Sequence, residues 1–502
     1  MKSHPLRILG ALGAIVLATI VLVTNRLGAS DICGGNEAVE AVFVQQMVEH
    51  GHLLFPLENG VQPMYKPPLF HWTAFALDRL TGRDRVTAVN LRATAALYAI
   101  AGVVMTIAFA LWLFGPDGAG AAILAGLALA ASYQYISQGR FGRVDMTLCF
   151  FEAAALFTFA RWLPPRRDAT IDTPAHRMLL YVLALAMGLG VLSKGPVGAL
   201  LPGAAIVAFL ASERRWRQML AMLEPGPLIA GAIVASSWYF ACYFGGRFGF
   251  LNRQLGSENV GRFFGSLGAM APWYYVKPLL LNSAPLSLLV PVAVVTALWR
   301  RGNRAGESRE DTESDLRVRA AMRLFAIFWI VTVVFFTLAA YKRRSYLLPL
   351  WPPAAVMLAW LVLSVRGEPW ARAAKWGFGA ICAILIVFNL FYIPRNEVRD
   401  CAGSSFRPAA EEITRAVGPG DPLYIFGFDE ELAPLLFYLD RNAPVIKGRL
   451  GDAPPGYVIV PERVWRAVRG QALDLTPVLS SHHGERRILL LRRGKTYALA
   501  TE

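Results

Sequence analysis

Nine cations stand where a chain this apolar has little reason to keep them. Lys66, Arg140, Arg143, Lys194, Arg253, Arg262, Lys342, Arg343 and Arg344 are in or beside segments that border long apolar runs, many at the very end of a run. Charge at membrane depth is costly unless it has a partner. Lys suits phosphate as a point charge and Arg as a two-pronged donor, so the set points to an anionic, phosphate-bearing ligand. The competing explanation is snorkelling, in which long side chains reach from span ends to the headgroups. Carboxylates share these segments. Asp31, Glu37 and Glu40 follow the first apolar run, Asp145 opens another two residues after Arg143, and Glu258 lies between Arg253 and Arg262. A carboxylate beside cations can serve as a general base, hold a sugar hydroxyl or bind a metal. Asp145 begins an apolar stretch, where a charge needs a purpose. Glu40 reads as part of a solvated helix face. In Lys66-Pro67-Pro68 two fixed φ angles hold the lysine on a stiff turn, and His71 beyond it reads as an interfacial residue.

The elements that must position these groups are membrane spans. Charged residues are 17% of the 502 and hydrophobic ones 55%. Soluble domains carry about 25% charge, so a wholly soluble enzyme, a disordered chain and a disulfide-dense scaffold are excluded. A span needs about 20 mostly apolar residues. Eleven runs qualify, at 6–27, 86–114, 118–136, 144–163, 178–193, 196–212, 227–244, 279–299, 322–341, 346–365 and 374–393. The first is read as an uncleaved anchor. The net charge of +15 fits arginine-rich cytoplasmic loops rather than nucleic-acid binding. Lys2, Arg7, Arg166, Arg167, Arg177, Arg214, Arg215, Arg217 and the cluster from Arg300 to Arg323 fall on one side of this arrangement. That side is then cytoplasmic, with the N-terminus inside and the C-terminus outside. The nine cations lie on the opposite face, with two long loops near 28–85 and 245–278.

The expected organisation is a membrane domain over 1–393 and an α/β domain over 394–502. In the tail, 423–426, 457–460 and 488–491 read as strands, and 406–417, 430–440 and 461–470 as helices. The stretch 300–320 reads as a charged linker. Cys149, Cys242 and Cys382 sit within apolar runs. Cys33 and Cys401 both fall on the oxidising side, where a bridge between them would tie the tail to the first loop.

Six segments, in order, resemble the GT-C membrane glycosyltransferases that use polyprenyl-phosphate sugars. Within that group they are most similar to the lipid A aminoarabinose transferases and their protein O-mannosyltransferase relatives. The segments are Asn36-Glu37-Ala38 with Met47-Val48-Glu49-His50-Gly51; Tyr65-Lys66-Pro67-Pro68-Leu69; Arg140-Phe141-Gly142-Arg143-Val144-Asp145; Ser193-Lys194-Gly195-Pro196; Glu258-Asn259-Val260-Gly261-Arg262; and Lys342-Arg343-Arg344-Ser345-Tyr346-Leu347-Leu348-Pro349. The resemblance implies a polytopic α-helical enzyme of the bacterial inner membrane with its chemistry on the periplasmic face. An acceptor attacks the anomeric carbon of an undecaprenyl-phosphate sugar and the polyprenyl phosphate leaves. By carry-over, Lys66, Lys194, Lys342 and Arg343, with Arg140 or Arg143, meet the phosphate, and Tyr346 donates a hydrogen bond to it. Glu37 and Asp145, with Asp31 in reserve, position or deprotonate the acceptor. Glu258 and Arg262 belong to the second substrate loop.

The sequence also departs from the family pattern. Asn36 stands for the first-loop Asp and cannot act as a base. Tyr65 replaces the acid before Lys-Pro-Pro, and Ser257 stands where His is common, so neither a metal nor another cofactor is expected. A phosphate acceptor such as lipid A is already nucleophilic and needs no strong base. The alternatives are a protein acceptor, a lipid-linked-sugar transporter, and an assembly protein working through its tail. Charges gathered at span ends on one side favour surface chemistry over transport, and an assembly role leaves the six ordered segments unexplained.

Overall fold

The computed structural model describes residues 5–493 except 60–61, 83–84, 116–117, 167–172, 267, 300–311, 430–431, 440, 472–473 and 484–485. Most of the 300–320 linker therefore lies outside the described residues. The chain divides into two compact units.

The first unit comprises Met1–Asn25, Tyr65–Phe70 and Arg92–Ile393. Seven of the described helices are long and apolar enough to cross a membrane: Pro5–Thr24, Ala88–Phe114, Pro174–Lys194, Pro225–Phe244, Glu313–Leu338, Arg344–Leu363 and Glu368–Cys401. Two bent pairs, Gly118–Ala131 with Tyr133–Gly139 and Pro272–Leu281 with Leu286–Trp299, raise this to nine if each pair is one span. Reaching the expected eleven would require two more helices to cross. Asp145–Trp162 carries Asp145, Glu152 and Arg161, and Val197–Ser212 has only 16 residues.

Local chemistry sets the breaks. Ser132 caps the second half of the first bent pair, accepting from the Tyr135 amide at 3.3 Å. Thr173 caps Pro174–Lys194, accepting from the His176 amide, and Pro174 occupies the first turn, where its missing N–H costs nothing. Small residues then let the helices around Lys194 approach closely. A Cβ on Gly198 would lie 2.2 Å from the Gly190 carbonyl carbon, so only glycine fits at that crossing.

The second unit comprises Arg26–Met64, His71–Leu91 and Pro394–Glu502. The tail thus shares its unit with most of the 28–85 loop, where the sequence reading divides the chain at residue 393. A four-stranded sheet runs in the order Leu423–Ile425, Gly456–Pro461, Arg486–Arg493, Leu475–His483, the first pair parallel and the others antiparallel. Ile488 and Leu490 pack with Ile413, Leu435 and Ile459 on one face; Leu489 and Leu491 pack with Val458, Val464 and Trp465 on the other. Cover on both faces explains the unbroken apolar run from Ile488 to Leu491.

Cys33 and Cys401 form a disulfide with Cα atoms 5.7 Å apart and a sequence separation of 368. Non-reducing peptide mapping is expected to recover these two cysteines as one linked pair. Closing so long a loop contributes about 2–5 kcal/mol, so Cys33→Ser should lower the thermal midpoint of the purified protein. Recovery of both as free thiols would refute the bridge.

Glu40 and His71 correct the sequence reading. Both are fully buried in this unit, and His71 Nε2 lies 2.7 Å from Glu40 Oε2. Nearly every residue of the Gly35–His50 helix from Glu37 to Val48 is enclosed, so the helix has no solvated face for Glu40 to occupy.

Candidate functional site

Five segments of the first unit converge on one cavity of about 430 Å³. Its polar edge carries Lys66, Lys194, Glu258, Arg262, Tyr341 and Tyr346, beside Tyr65. Its walls are apolar and include Leu148, Val197, Leu201, Phe263, Phe335 and Phe336.

Each polar group has a structural reason for its place. Lys194 ends its helix, and Gly195 turns the chain with φ +97° and ψ −164°, a conformation open essentially to glycine alone. A Cβ there would sit 2.2 Å from Gln254 Nε2, so the 245–278 loop closes directly over the Ser193–Pro196 turn. That loop is π-helical over Asn252–Gly261, a rare geometry concentrated at functional sites. It is joined to the Lys342 segment through its backbone: the Ala340 amide donates to Phe263 O at 2.9 Å and the Tyr341 amide to Arg262 O at 3.2 Å. Gln134 steadies the same segment by donating to Arg344 O at 2.8 Å. Gly195→Ala is expected to cost about 1–3 kcal/mol of strain and to lower the thermal midpoint measurably; an unchanged midpoint would count against this account.

Asp145 lies at the N-terminus of its helix, where a carboxylate is favoured. Lys194 Nζ lies 2.5 Å from its Oδ1 and Arg143 Nη2 lies 3.2 Å from its Oδ2. Lys194 Nζ also sits 4.6 Å from the centre of the Tyr346 ring. Arg262 pairs with Glu258 at 2.7 Å one helical turn away. Burial would lower the pKa of the Arg262 guanidinium, but Glu258 and a hydrogen bond to Tyr346 outweigh it and hold it raised. Arg343 donates from Nε and Nη2 to Tyr341 Oη at 3.2 and 3.1 Å.

Snorkelling does not describe these side chains. Those of Arg143, Lys194 and Arg262 are only 16%, 17% and 12% exposed even without lipid around the protein. Their heads are held by protein partners. Among the described residues here cations exceed acids: Lys66, Arg143, Lys194, Arg253, Arg262 and Arg343 accompany Asp145, Glu152 and Glu258. An apolar cavity with surplus positive charge at its edge suits an amphiphile with an anionic head.

Other predicted site residues are placed elsewhere. Arg140 is buried and donates to Leu22 O at 2.8 Å. Lys342 Nζ donates to Ala339 O at 2.6 Å and Met270 O at 3.3 Å, which locks the loop junction. Asp31 and Glu37 belong to the second unit. Asp31 accepts from Ser405 Oγ at 2.6 Å and lies 3.6 Å from Arg407, and Glu37 is buried in the first turn of its helix. Tyr65 and Tyr341 were not singled out for a role from sequence. Nothing in spacing marks them; their rings matter only once Lys66, Arg253, Arg262 and Arg343 are seen against them. Among the described residues no group of three or more His, Cys, Asp or Glu side chains is arranged to hold a metal ion.

Comparison with known proteins agrees with this geometry. A family model described as dolichyl-phosphate-mannose-protein mannosyltransferase matches residues 65–240, from Tyr65 through Lys194 and beyond. The structure superposes on that of ArnT from Cupriavidus metallidurans bound to undecaprenyl phosphate with a TM-score of 0.77 at 18% identity, covering 96% of this chain and 98% of that one. The chain has the GT-C glycosyltransferase fold. An Archaeoglobus fulgidus oligosaccharyltransferase shares it more distantly, with a TM-score of 0.58 at 13% identity over 96% of this chain and 74% of that one. In sequence, the undecaprenyl phosphate-alpha-4-amino-4-deoxy-L-arabinose arabinosyl transferase of Enterobacter sp. (strain 638) is 24% identical over 78% of this chain and 66% of its own length. That of Aeromonas salmonicida is 26% identical over 69% and 60%. The chain thus spans less than two thirds of these relatives. The similarity to aminoarabinose transferases extends over most of the chain, and that to the mannosyltransferase family model over residues 65–240.

Proposed function

We propose that this protein transfers a sugar from an undecaprenyl-phosphate donor to lipid A or a related envelope glycolipid at the periplasmic face of the inner membrane. The observation that carries this reading is the apolar-walled cavity edged by Lys66, Lys194 and Arg262. An isoprenoid fits the walls and its phosphate fits the cations. In this reading the N-terminus is cytoplasmic, the second unit is periplasmic, and no metal takes part.

As the acceptor attacks the anomeric carbon, the bond to the donor phosphate oxygen breaks and negative charge grows on the leaving group. Fixed cations stabilise such charge without reorganising. Lys66, Lys194 and Arg262 fill that role, with Tyr346 beside them. Both oxygens of Asp145 are engaged by Lys194 and Arg143, so it serves to aim cations rather than to take a proton. A phosphate group of lipid A would attack without a base.

The test is mass spectrometry of outer-membrane lipid A with and without the gene. The expected result is loss of a pentose- or hexose-type mass increment, restored by the intact gene but not by Asp145→Asn. An unchanged profile would reject the lipid A acceptor. The match to a protein mannosyltransferase model then makes exported proteins the next acceptors to examine.

A further inference from the structure

The second unit has a cleft of its own. It encloses about 240 Å³, and its lining includes Gln45, Gln46, Glu49, Arg85, Phe437 and Asn442, all residues of that unit. Val42, Gln45, Gln46 and Glu49 recur at i, i+3, i+4 and i+7 on the Gly35–His50 helix, so one stripe of the helix is turned to the cleft. Three of those four residues are polar, and Gln45 and Gln46 are only 8% and 6% exposed. A buried amide is costly unless it is hydrogen-bonded. Gln45 meets that need within the protein: its Oε1 accepts from the Val86 amide at 2.7 Å and its Nε2 donates to Glu49.

Gln46 is different. Its Nε2 donates to Asn442 Oδ1 at 3.2 Å, and among the described residues Gln46 Oε1 and Asn442 Nδ2 make no further bond. One acceptor and one donor therefore remain on adjacent amides that line the cleft. The pair is held in place from behind, because the Ala443 amide donates to Asn59 Oδ1 at 2.6 Å and Asn59 Nδ2 donates to Ala443 O. A hydroxyl both donates and accepts, so a fixed donor beside a fixed acceptor matches a sugar's hydroxyls. The half-buried Phe437 ring adds an apolar face of the kind on which the C–H side of a sugar ring rests. The volume is below the roughly 300–1,000 Å³ of sites for drug-sized ligands, which suits one sugar ring. A neighbouring cleft of about 720 Å³ shares Gln45, Arg85 and Phe437, so a longer glycan can continue into it.

We propose that this cleft is a carbohydrate subsite that takes a sugar ring of the acceptor, with Gln46 and Asn442 bonding its hydroxyls and Phe437 lying under its C–H face. That the ring belongs to the acceptor rests on the glycolipid reading above; the sugar-binding chemistry does not.

The experiment is saturation-transfer NMR on the purified full chain with N-acetylglucosamine as the probe and glycerol as the non-sugar control. Transfer to the sugar's ring protons is expected with the wild type, and none to glycerol. Asn442→Ala changes an exposed residue and should raise the sugar Kd about 3- to 10-fold, the scale of one neutral hydrogen bond. Gln46→Leu combined with Asn442→Ala should abolish the signal; Asn442→Ala alone carries the test if the double variant cannot be purified. No transfer in the wild type, or an equal Kd in wild type and Asn442→Ala, would overturn the subsite. In turnover, Asn442→Ala should raise the KM for lipid A by a similar factor and leave undecaprenyl phosphate binding, read by native mass spectrometry, unchanged. A weakened sugar Kd with an unchanged lipid A KM would overturn the subsite's part in acceptor binding. Sugar binding by a wild type that does not modify lipid A at all would instead defeat the acceptor reading and leave the carbohydrate site standing.

Discussion

Asp145→Asn is expected to lower kcat for sugar transfer by about 10²- to 10³-fold while the protein still folds. The carboxylate is 2% exposed and meets Lys194 at 2.5 Å and Arg143 at 3.2 Å. Asn keeps the shape and can still accept one hydrogen bond from Lys194, so the helix end should hold. It cannot balance two cations. Removing one partner of a buried ion pair costs about 3–5 kcal/mol, because the remaining charge loses its compensation. Here the cost falls on the aim of Lys194. A bound donor phosphate can partly replace the lost negative charge, so donor KM should not rise. A kcat collapse at constant or lower KM is therefore the signature, read by steady-state kinetics on purified protein with the thermal midpoint as control. Lys194→Met in the same background should add much less than it does alone, since both changes break one pair. Full turnover in purified Asp145→Asn would remove this residue from the site.

Asp145 also shows what the sequence could and could not disclose. Its position at the head of an apolar run, two residues after Arg143, marked it as purposeful. Its partner Lys194 is 49 residues away, and the packing of Asp145–Trp162 against Pro174–Lys194 brings the two together. The spans were legible because apolar length is written locally. Their count was less so, since Asp145–Trp162 and Val197–Ser212 are short or charged, and two other runs bend by 66° and 109°. In the tail, the expected strands near 423, 457 and 488 had compact apolar cores. The Leu475–His483 strand did not, because Thr476, Ser480, Ser481 and the two histidines dilute its pattern. Cations were easier to find than their orientations. Lys342 and Arg140 have the residue type and location of phosphate ligands, yet Lys342 donates to the Ala339 and Met270 carbonyls and Arg140 to that of Leu22. No spacing rule reports where a long side chain will turn.

Lys66→Ala is the second change with a large expected effect, and its signature differs. Lys66 is 8% exposed, lines the cavity and rests on the Tyr65 ring, and its backbone is stiffened by Pro67 and Pro68. Fixed in this way, it loses little entropy when a phosphate arrives, so its contribution should be near the upper end for one charged donor. Deleting one such donor from a site where negative charge develops costs about 10²- to 10³-fold in rate. Because the donor phosphate is already charged in the ground state, part of the loss should also appear as a raised donor KM, unlike Asp145→Asn. Lys66→Arg keeps the charge but not the compact shape, and should recover binding more than turnover. Higher salt should weaken donor binding less in Lys66→Ala than in wild type if screening acts on this charge, although burial will mute the difference. Measured kcat and KM for both variants decide the matter: wild-type values in Lys66→Ala would show that the cluster meets the phosphate without this residue. A loss confined to the thermal midpoint would reduce Lys66 to a prop for the Tyr65 ring.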